Sequence, residues 1–483
     1  MKKIRYYILT SLMTAGLTSC DLFSDFGDLN DNPAATTTPI VGALLSNAIA
    51  DSQTGIGVHA FLANPGYFCQ YFSETQYSSA SLYANTQSDF SLIYNRSLYD
   101  LQNIIIQDKS NSMSAVAKIL QQYIFWTVTD RWGDIPYSEA LQGASVARPK
   151  YDTQEEVYKG MIQALKDANA LFDGSLITGD LVYGGDVAAW KRTANTMRML
   201  MALQLSNKYP DANGYAAAEF KAALTDPAGI ITTNSQNFKL NFPGGNFPSS
   251  YFSLYNGRRD VAQSAPMTSL TSSLNDGRQV AFGGATEEQG VAATSESSDI
   301  GTPYGVERSK AEAFTSSNPK WARVLRGDLR GAASSVYIIT AAQAYLARAE
   351  AADLGWTTEN LSEVYKKGIE LSFEQWGVAA PANTYFAQTT VAVGAAGAAA
   401  NKKNIAIQRY LASYPDGLQG WNIWRKTGYP QLTPAPDAVS TSKQIPHRYL
   451  YAAGEYTTNK ESVDAAVARV SGSYTQDSKI WWE

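Results

Sequence analysis

Residues 336–377, VYIITAAQAYLARAEAADLGWTTENLSEVYKKGIELSFEQWG, decide the fold. The first half predicts a helix from Val336 onward, carrying Ala341, Ala344, Ala347, Ala351 and Ala352, side chains small enough for a neighbouring helix to approach closely. Gly355 can take the left-handed conformation that closes such a helix. The second half, from Thr357, predicts a helix that runs back along the first and stops at Gly377. A helix, a tight loop and an antiparallel return cannot bury their apolar faces alone, so the unit must stack on others.

This unit resembles one tetratricopeptide repeat, whose period is about 34 residues. Working outward, the chain reads as helical from about residue 40. In SMSAVAKILQQYIFWTVTDRWGD, Val116, Ile119, Leu120, Tyr123, Ile124 and Thr127 make one continuous stripe. In DTQEEVYKGMIQALKDANALF, Thr153 stands three residues before Glu156 as a capping box. The next segment, DVAAWKRTANTMRMLMALQLSNKYP, has Asp186 as its cap and Pro210 as its stop. No clean sequence repeat sets the number of units. Residues 231–333 differ: rich in Gly, Ser, Asn and Pro and without a sustained period, they predict an irregular lobe, and insertions of that length are functional or disordered. AVGAAGAAANKKN, near 392–404, reads as a surface loop. The fold class is mainly α: a tetratricopeptide-like scaffold over about 40–230 and 334–483, carrying an inserted loop-rich lobe within one domain.

Four hundred and eighty-three residues bury a sizeable core. Charged residues are 17%, against roughly 25% in typical soluble domains, while 29 Tyr and 10 Trp enrich the chain in aromatic groups. The net charge of −5 falls to −8 if Lys2, Lys3 and Arg5 leave with a leader. No basic stripe is present, which argues against a nucleic-acid partner.

The N-terminus begins with that basic cluster, continues through ILTSLMTAGL and ends in LTSC, Leu17–Cys20. The apolar run is too short to span a bilayer, which takes roughly 20 residues, and suits a secretory leader. LTSC resembles the bacterial lipoprotein box. The resemblance implies a signal peptide over 1–19, lipid on Cys20, and membrane attachment through that lipid alone. Residues 20–39, with Asp21, Asp25, Asp28 and Asp31, read as an acidic solvated tether. The other cysteine, Cys69 in GYFCQYF, reads as a buried small apolar residue.

Signs of catalysis are few. The two histidines, His59 and His447, stand in no metal-binding or triad arrangement, and no nucleophile elbow, phosphate loop or dinucleotide fingerprint occurs. No metal site and no cofactor beyond the lipid on Cys20 are expected. The best carboxylates lie in TDRWGDIPYSEA: Asp130, Asp134 and Glu139. A glycoside hydrolase needs two such groups about 5 to 9.5 Å apart, but a helix end at Asp130–Arg131, a turn at Gly133 and a break at Pro136 explain the same residues structurally. Aromatics are the remaining resource. Sugar rings present apolar faces for Tyr and Trp to stack on, and polar side chains bond their hydroxyls. Tyr77, Tyr83, Tyr251, Tyr255, Tyr304 and Trp321 sit among polar neighbours and are the candidates for an exposed ligand platform.

Several stretches together resemble the SusD/RagB family of outer-membrane nutrient-binding lipoproteins. They are the lipoprotein box with its acidic tether and DLNDNP; Gly133, Asp134, Pro136, Tyr137, Glu139 and Ala140 of TDRWGDIPYSEAL; and WKRTANTMRMLMAL from Trp190. TAAQAYLARAEAADLGW follows, with Gln343 where the family often has Glu. Last come WNIWRKTGYPQLTP from Trp421 and QIPHRYLYAAGEYTTN from Gln444, in which Lys426 and His447 replace arginines and Ala452 a proline. The resemblance implies a helical scaffold of four tetratricopeptide-like pairs, and a non-enzymatic lipoprotein of the outer membrane facing the cell exterior. It also implies an oligosaccharide ligand, or a peptide in RagB-like branches, handed to a SusC-type TonB-dependent transporter. The motifs themselves are scaffold, so the family transfers no ligand residue.

Overall fold

Thr340 marks a change of periodicity. In the computed structural model of the protein, which describes residues 39–84, 87–107, 110–290 and 295–483, the four residues before it form a strand, Val336–Ile339, rather than the opening of a helix. Its β-branched side chains favour the extended backbone, and it pairs antiparallel with Phe238–Leu240. Thr340 then caps the helix: its Oγ1 accepts from the Gln343 amide at 3.2 Å, and Gln343 Oε1 accepts from the Thr340 amide at 3.0 Å. Gln343, the departure from the family's Glu, thus completes the capping box. Both predicted glycine stops are realised. Gly355 (φ +71°) and Gly377 (φ +65°) each turn left-handed, and the amides after them, of Trp356 and Val378, bond back to Ala351 O at 2.8 Å and Phe373 O at 3.0 Å.

Eight helices make the scaffold: α1 Asn111–Trp132, α2 Gln154–Leu171, α3 Val187–Gln204, α4 Tyr215–Leu224, α5 Ala341–Asp353, α6 Leu361–Gln375, α7 Asn401–Ser413 and α8 Gly417–Thr427. They pack as four sequence-adjacent pairs, α1 on α2, α3 on α4, α5 on α6 and α7 on α8, with α2 against α3 and α5 against α7 joining the pairs. The α5–α6 approach is close because of Gly368 as well as the alanines. A Cβ at that glycine would stand 2.7 Å from Leu346 Cγ and 3.1 Å from the Leu346 amide nitrogen. Val41–Glu483 forms one compact unit. Cys20, the leader and the tether through residue 38 lie outside the described residues.

Two boundaries and one helix face differ from the sequence reading. Helix α3 ends at Gln204 and passes through a short 3-10 turn, Leu205–Asn207, before Pro210 is reached. Residues 401–404 belong to α7, and Asn401 is buried with its amide on Asp353 at 2.6 Å, so the surface loop stops at Ala400. Helix α1 presents no single stripe: only Asn111 and Lys118 escape burial. Most of its polar residues are bonded inside the protein, though Ser114 Oγ and Arg131 Nη2 find no partner among the described residues. Thr127 meets His59 Nδ1 at 2.7 Å, and Gln122 accepts from Tyr137 at 2.8 Å. Burial lowers the pKa of His59, with Arg131 adding to the effect.

The capping predictions at Thr153 and Asp186 hold, with Glu156 and Ala189 as partners. Cys69 is fully buried, as expected. The family-like motifs supply a buried polar framework. Arg425 lies 3.6 Å above the Trp421 ring and 4.9 Å from that of Trp482, and donates to Asp130 O and His447 O, each at 2.7 Å. Lys426, where the family has arginine, reaches Leu203 O at 2.7 Å and Glu350 at 2.5 Å, while Arg409 pairs with the other Glu350 oxygen. Burial pushes the Glu350 pKa up, but Arg409 and Lys426 outweigh it and hold the carboxyl at about 2. His447, the other replacement, meets the Glu483 carboxylate at 2.5 Å.

The lobe is more ordered than its composition suggests. It contains helices Ala265–Ser273 and Arg308–Ser317 and the pairing of Gly283–Gly284 with Arg323–Val324, two further strand pairings join it to the scaffold, and its loops are tied by buried arginines. Arg278 pairs with Asp276 at 2.6 Å and reaches Ser372 of α6 at 2.9 Å and Gln408 of α7 at 2.7 Å, docking the lobe on the scaffold. Arg330 donates to the carbonyls of Leu325, Thr286 and Glu288, satisfying irregular backbone that no ladder could.

Candidate functional site

The strand Phe72–Glu74 pairs antiparallel with Val261–Gln263, bringing a scaffold segment against the lobe. Beside this ladder opens a cleft of about 1580 Å³, walled by helix Val41–Ala50, the segment around Tyr67–Ala80 and the lobe residues 240–261. Two large rings stand free at it: Tyr77 is 60% exposed and Phe247 is 61% exposed. Local turn chemistry puts Phe247 there. In FPGGNFP, Gly244 (φ +79°) and Gly245 (φ +58°) take left-handed conformations, and the Phe247 amide closes the turn on Gly244 O at 3.0 Å. Phe242 lines the cleft from the other side of the turn, against Gly57, where a Cβ would meet its ring at 2.9 Å.

The polar lining is mostly neutral, with Asn47, Asn64, Asn241 and Asn246 among it, and its charged members are Asp51, Glu74, Arg258 and Asp260. Glu74 folds the rim: its Oε2 accepts from the Ser81 amide at 2.8 Å and the Ser81 hydroxyl at 2.7 Å. Burial pushes the Glu74 pKa up, against the pull of those bonds. Asp260 is held by Arg258, whose Nε lies 3.1 Å away. Such a surface offers apolar ring faces next to hydrogen-bonding groups, at a volume that holds several sugar rings or a short peptide.

Of the six aromatic candidates, Tyr77 alone lines this cleft. The other five are in the core, which corrects their reading as an exposed platform. Tyr83 and Tyr304 share a hydroxyl contact at 3.1 Å, and the Tyr83 oxygen accepts from the Ala435 amide. Tyr255 donates to Val261 O at 2.7 Å and accepts from the Val324 amide at 2.8 Å. Tyr251 packs edge-on to Phe61, and Trp321 lies 3.7 Å beneath the Arg323 guanidinium. The physical reason is area. A lobe poor in aliphatic runs builds its core from large rings, and each phenol then needs only one or two buried partners. Tyr304 also borders a second cavity of about 640 Å³, lined by prolines and leucines together with Gln70, Ser269, Ser273, Gln431 and Thr433.

The carboxylates considered for glycoside hydrolysis are committed to the scaffold. Asp130 is fully buried and accepts from Tyr158, Asn422 and Trp482 at 2.6, 2.5 and 3.0 Å; burial raises its pKa to about 6. Asp134 accepts from the Gln154 amide at 2.9 Å and from Arg469 at 2.6 Å. Glu139 accepts from the Lys150 amide at 2.9 Å. None of the three lines the cleft.

Residues 31–452 match a SusD-like family model described as starch-binding and associating with the outer membrane. The chain belongs to the SusD-like family. Solved SusD-like structures share its fold. A SusD homolog from Bacteroides uniformis aligns with a TM-score of 0.76 at 23% identity, covering 92% of this chain and 98% of its own. A chitin-binding SusD homolog from Flavobacterium johnsoniae aligns with 0.76 at 24%, and a SusD-like protein from Bacteroides thetaiotaomicron with 0.76 at 22%, both with the same coverage. No curated protein matches the chain. Among the described residues, no helix of this SusD-like protein is long and apolar enough to cross a membrane.

Proposed function

We propose that this SusD-like protein captures glycan fragments in the 240–261 cleft and passes them, chemically unchanged, to a SusC-type TonB-dependent transporter. The observation that carries the reading is the cleft itself, where the free rings of Phe247 and Tyr77 stand among neutral amide side chains. Stacking supplies affinity there, and hydrogen bonds to hydroxyls supply orientation. The family's description as starch-binding and the chitin-binding relative support a glycan rather than another ligand class. Absence of turnover is supported by the commitment of Asp130, Asp134 and Glu139 to protein partners.

The protein acts at the outer membrane, held by lipid on Cys20 and facing the exterior. Cys20→Ala releases it from the membrane with its fold intact, and protease treatment of whole cells clips the wild type. A lid over a pore requires an interface beyond the roughly 1,600 Å² of a standard complex, so the transporter should co-purify with it in mild detergent. Isothermal titration against plant, host and microbial oligosaccharides tests the ligand class. Heat with one or more glycans is expected; heat with peptides alone overturns the sugar reading.

A further inference from the structure

The charged lining of the cleft is mostly acidic. It holds three carboxylates, Asp51, Glu74 and Asp260, against a single guanidinium, Arg258, and no lysine or histidine. Two of the carboxylates have cationic partners: Asp51 lies 3.3 Å from Arg96, and Asp260 pairs with Arg258. Glu74 has none. Its contacts are neutral: the amide and hydroxyl of Ser81, both on Oε2, and the Ala80 backbone amide. Glu74 and Asp260 are neighbours across the ladder, since Glu74 registers with Val261 and the Thr75 amide bonds to Asp260 O at 3.0 Å.

A second observation points into the same corner. Tyr67 is only 6% exposed and lines the cleft, yet its hydroxyl has no hydrogen-bond partner among the described residues. Burial, and after it the charges of Glu74 and Asp260, push the phenol's pKa up against the pull of Arg258, so it stays protonated. A largely enclosed phenol with no partner among the described residues, beside a carboxylate with no cation, leaves both groups free to bond a ligand in the cleft.

We infer that the corner formed by Tyr67, Glu74 and Asp260 is a subsite for a protonated amine on the sugar, making amino-sugar oligosaccharides the preferred class and excluding uronates and sulfated glycans. The inference rests on the glycan reading above. The ammonium supplies the cation Glu74 lacks, a ring hydroxyl or the amine meets the Tyr67 oxygen, and Phe247 and Tyr77 stack further sugars outward. A carboxylated or sulfated ligand would instead bring like charge against Glu74 in a partly desolvated site.

The test is isothermal titration of the intact protein with glucosamine hexaose, N-acetylglucosamine hexaose and galacturonic acid hexaose, at about pH 6, where a sugar amine is protonated. The glucosamine oligomer should bind about tenfold tighter than its acetylated counterpart, with no measurable binding of the uronate. Glu74→Gln should erase that preference, because the amide oxygen can still accept from Ser81 while the charge is gone. Tyr67→Phe should weaken both neutral and amine ligands without changing their order. The ranking of ligands on the wild type needs no variant to fold. Equal or tighter binding of the acetylated oligomer overturns the inference and leaves the glycan reading standing. Binding of none of the three, with heat from a lysine-rich peptide, overturns both.

Discussion

Helices α5 and α6 and the loop 240–261 solve opposite problems. The helix pair hides everything it can: alanines and Gly368 let the two axes close, and both ends are sealed by the same left-handed glycine turn. The loop does the reverse at one point. Its paired glycines turn the backbone back on itself and leave Phe247 in solvent, while Tyr251 and Tyr255, four and eight residues on, are sunk in the core. The lesson is that composition does not report exposure where no period exists. In a helix, a residue's face follows from its position. In the loop, it follows from which distant segment happens to lie opposite.

The contrast can be broken at either end, and the scaffold should break hardest. Trp482 packs near Arg425 and donates to Asp130 in a fully buried site. Trp482→Ala should cost about 3–5 kcal/mol in urea unfolding, as large aromatic truncations do, with little change in oligosaccharide affinity under native conditions. An affinity loss of comparable size would mean that scaffold and cleft are coupled. Gly368→Ala comes next. Alanine is the better helix former by roughly 1 kcal/mol, yet the new Cβ would crowd Leu346, so a net loss of about 1–3 kcal/mol is expected. A gain would show that the two helices can separate freely.

Acid should act on the scaffold through Glu350. Its folded pKa of about 2 lies below the ordinary 4.5, so the unfolded chain takes up the proton first. The stability this group contributes is present above about pH 4.5 and is lost as pH falls toward 2. Melting temperature across that window should fall, and Glu350→Gln should flatten that part of the profile. The smallest effect on stability belongs to the loop. Phe247→Ala should shift unfolding by no more than about 0.5 kcal/mol, while weakening glycan binding by about 1 kcal/mol, the worth of a stacked ring. Unchanged binding would move the ligand away from this rim.

How much was legible follows the same division. The cap at Thr153, the stops at Gly355 and Gly377 and the helix pairing could be read because each depends on residues within a few positions of one another. The strand at Val336–Ile339 was missed because its partner, Phe238–Leu240, lies about a hundred residues away. The aromatic candidates failed for a related reason. Polar neighbours in sequence made Tyr83, Tyr255 and Trp321 look exposed, whereas distant backbone groups and an arginine face supplied their partners. Phe247 did leave a signal, two Phe-Pro pairs around Gly-Gly-Asn, which is a turn flanked by rings. Glu74 left none, since its missing cation is visible only when every neighbour is in place.

By itself, the sequence determined the helical class, the local caps and stops, the lipoprotein resemblance at Cys20 and the membership of the SusD-like family, because these reside in short-range patterns. Only the tertiary structure decided which rings face solvent, that Asp130, Asp134 and Glu139 are stitched into the scaffold, and that Tyr67 and a Glu74 without a cationic partner line one cleft. Exposure and charge balance are sums over neighbours brought together by folding, and no local stretch of chain contains them.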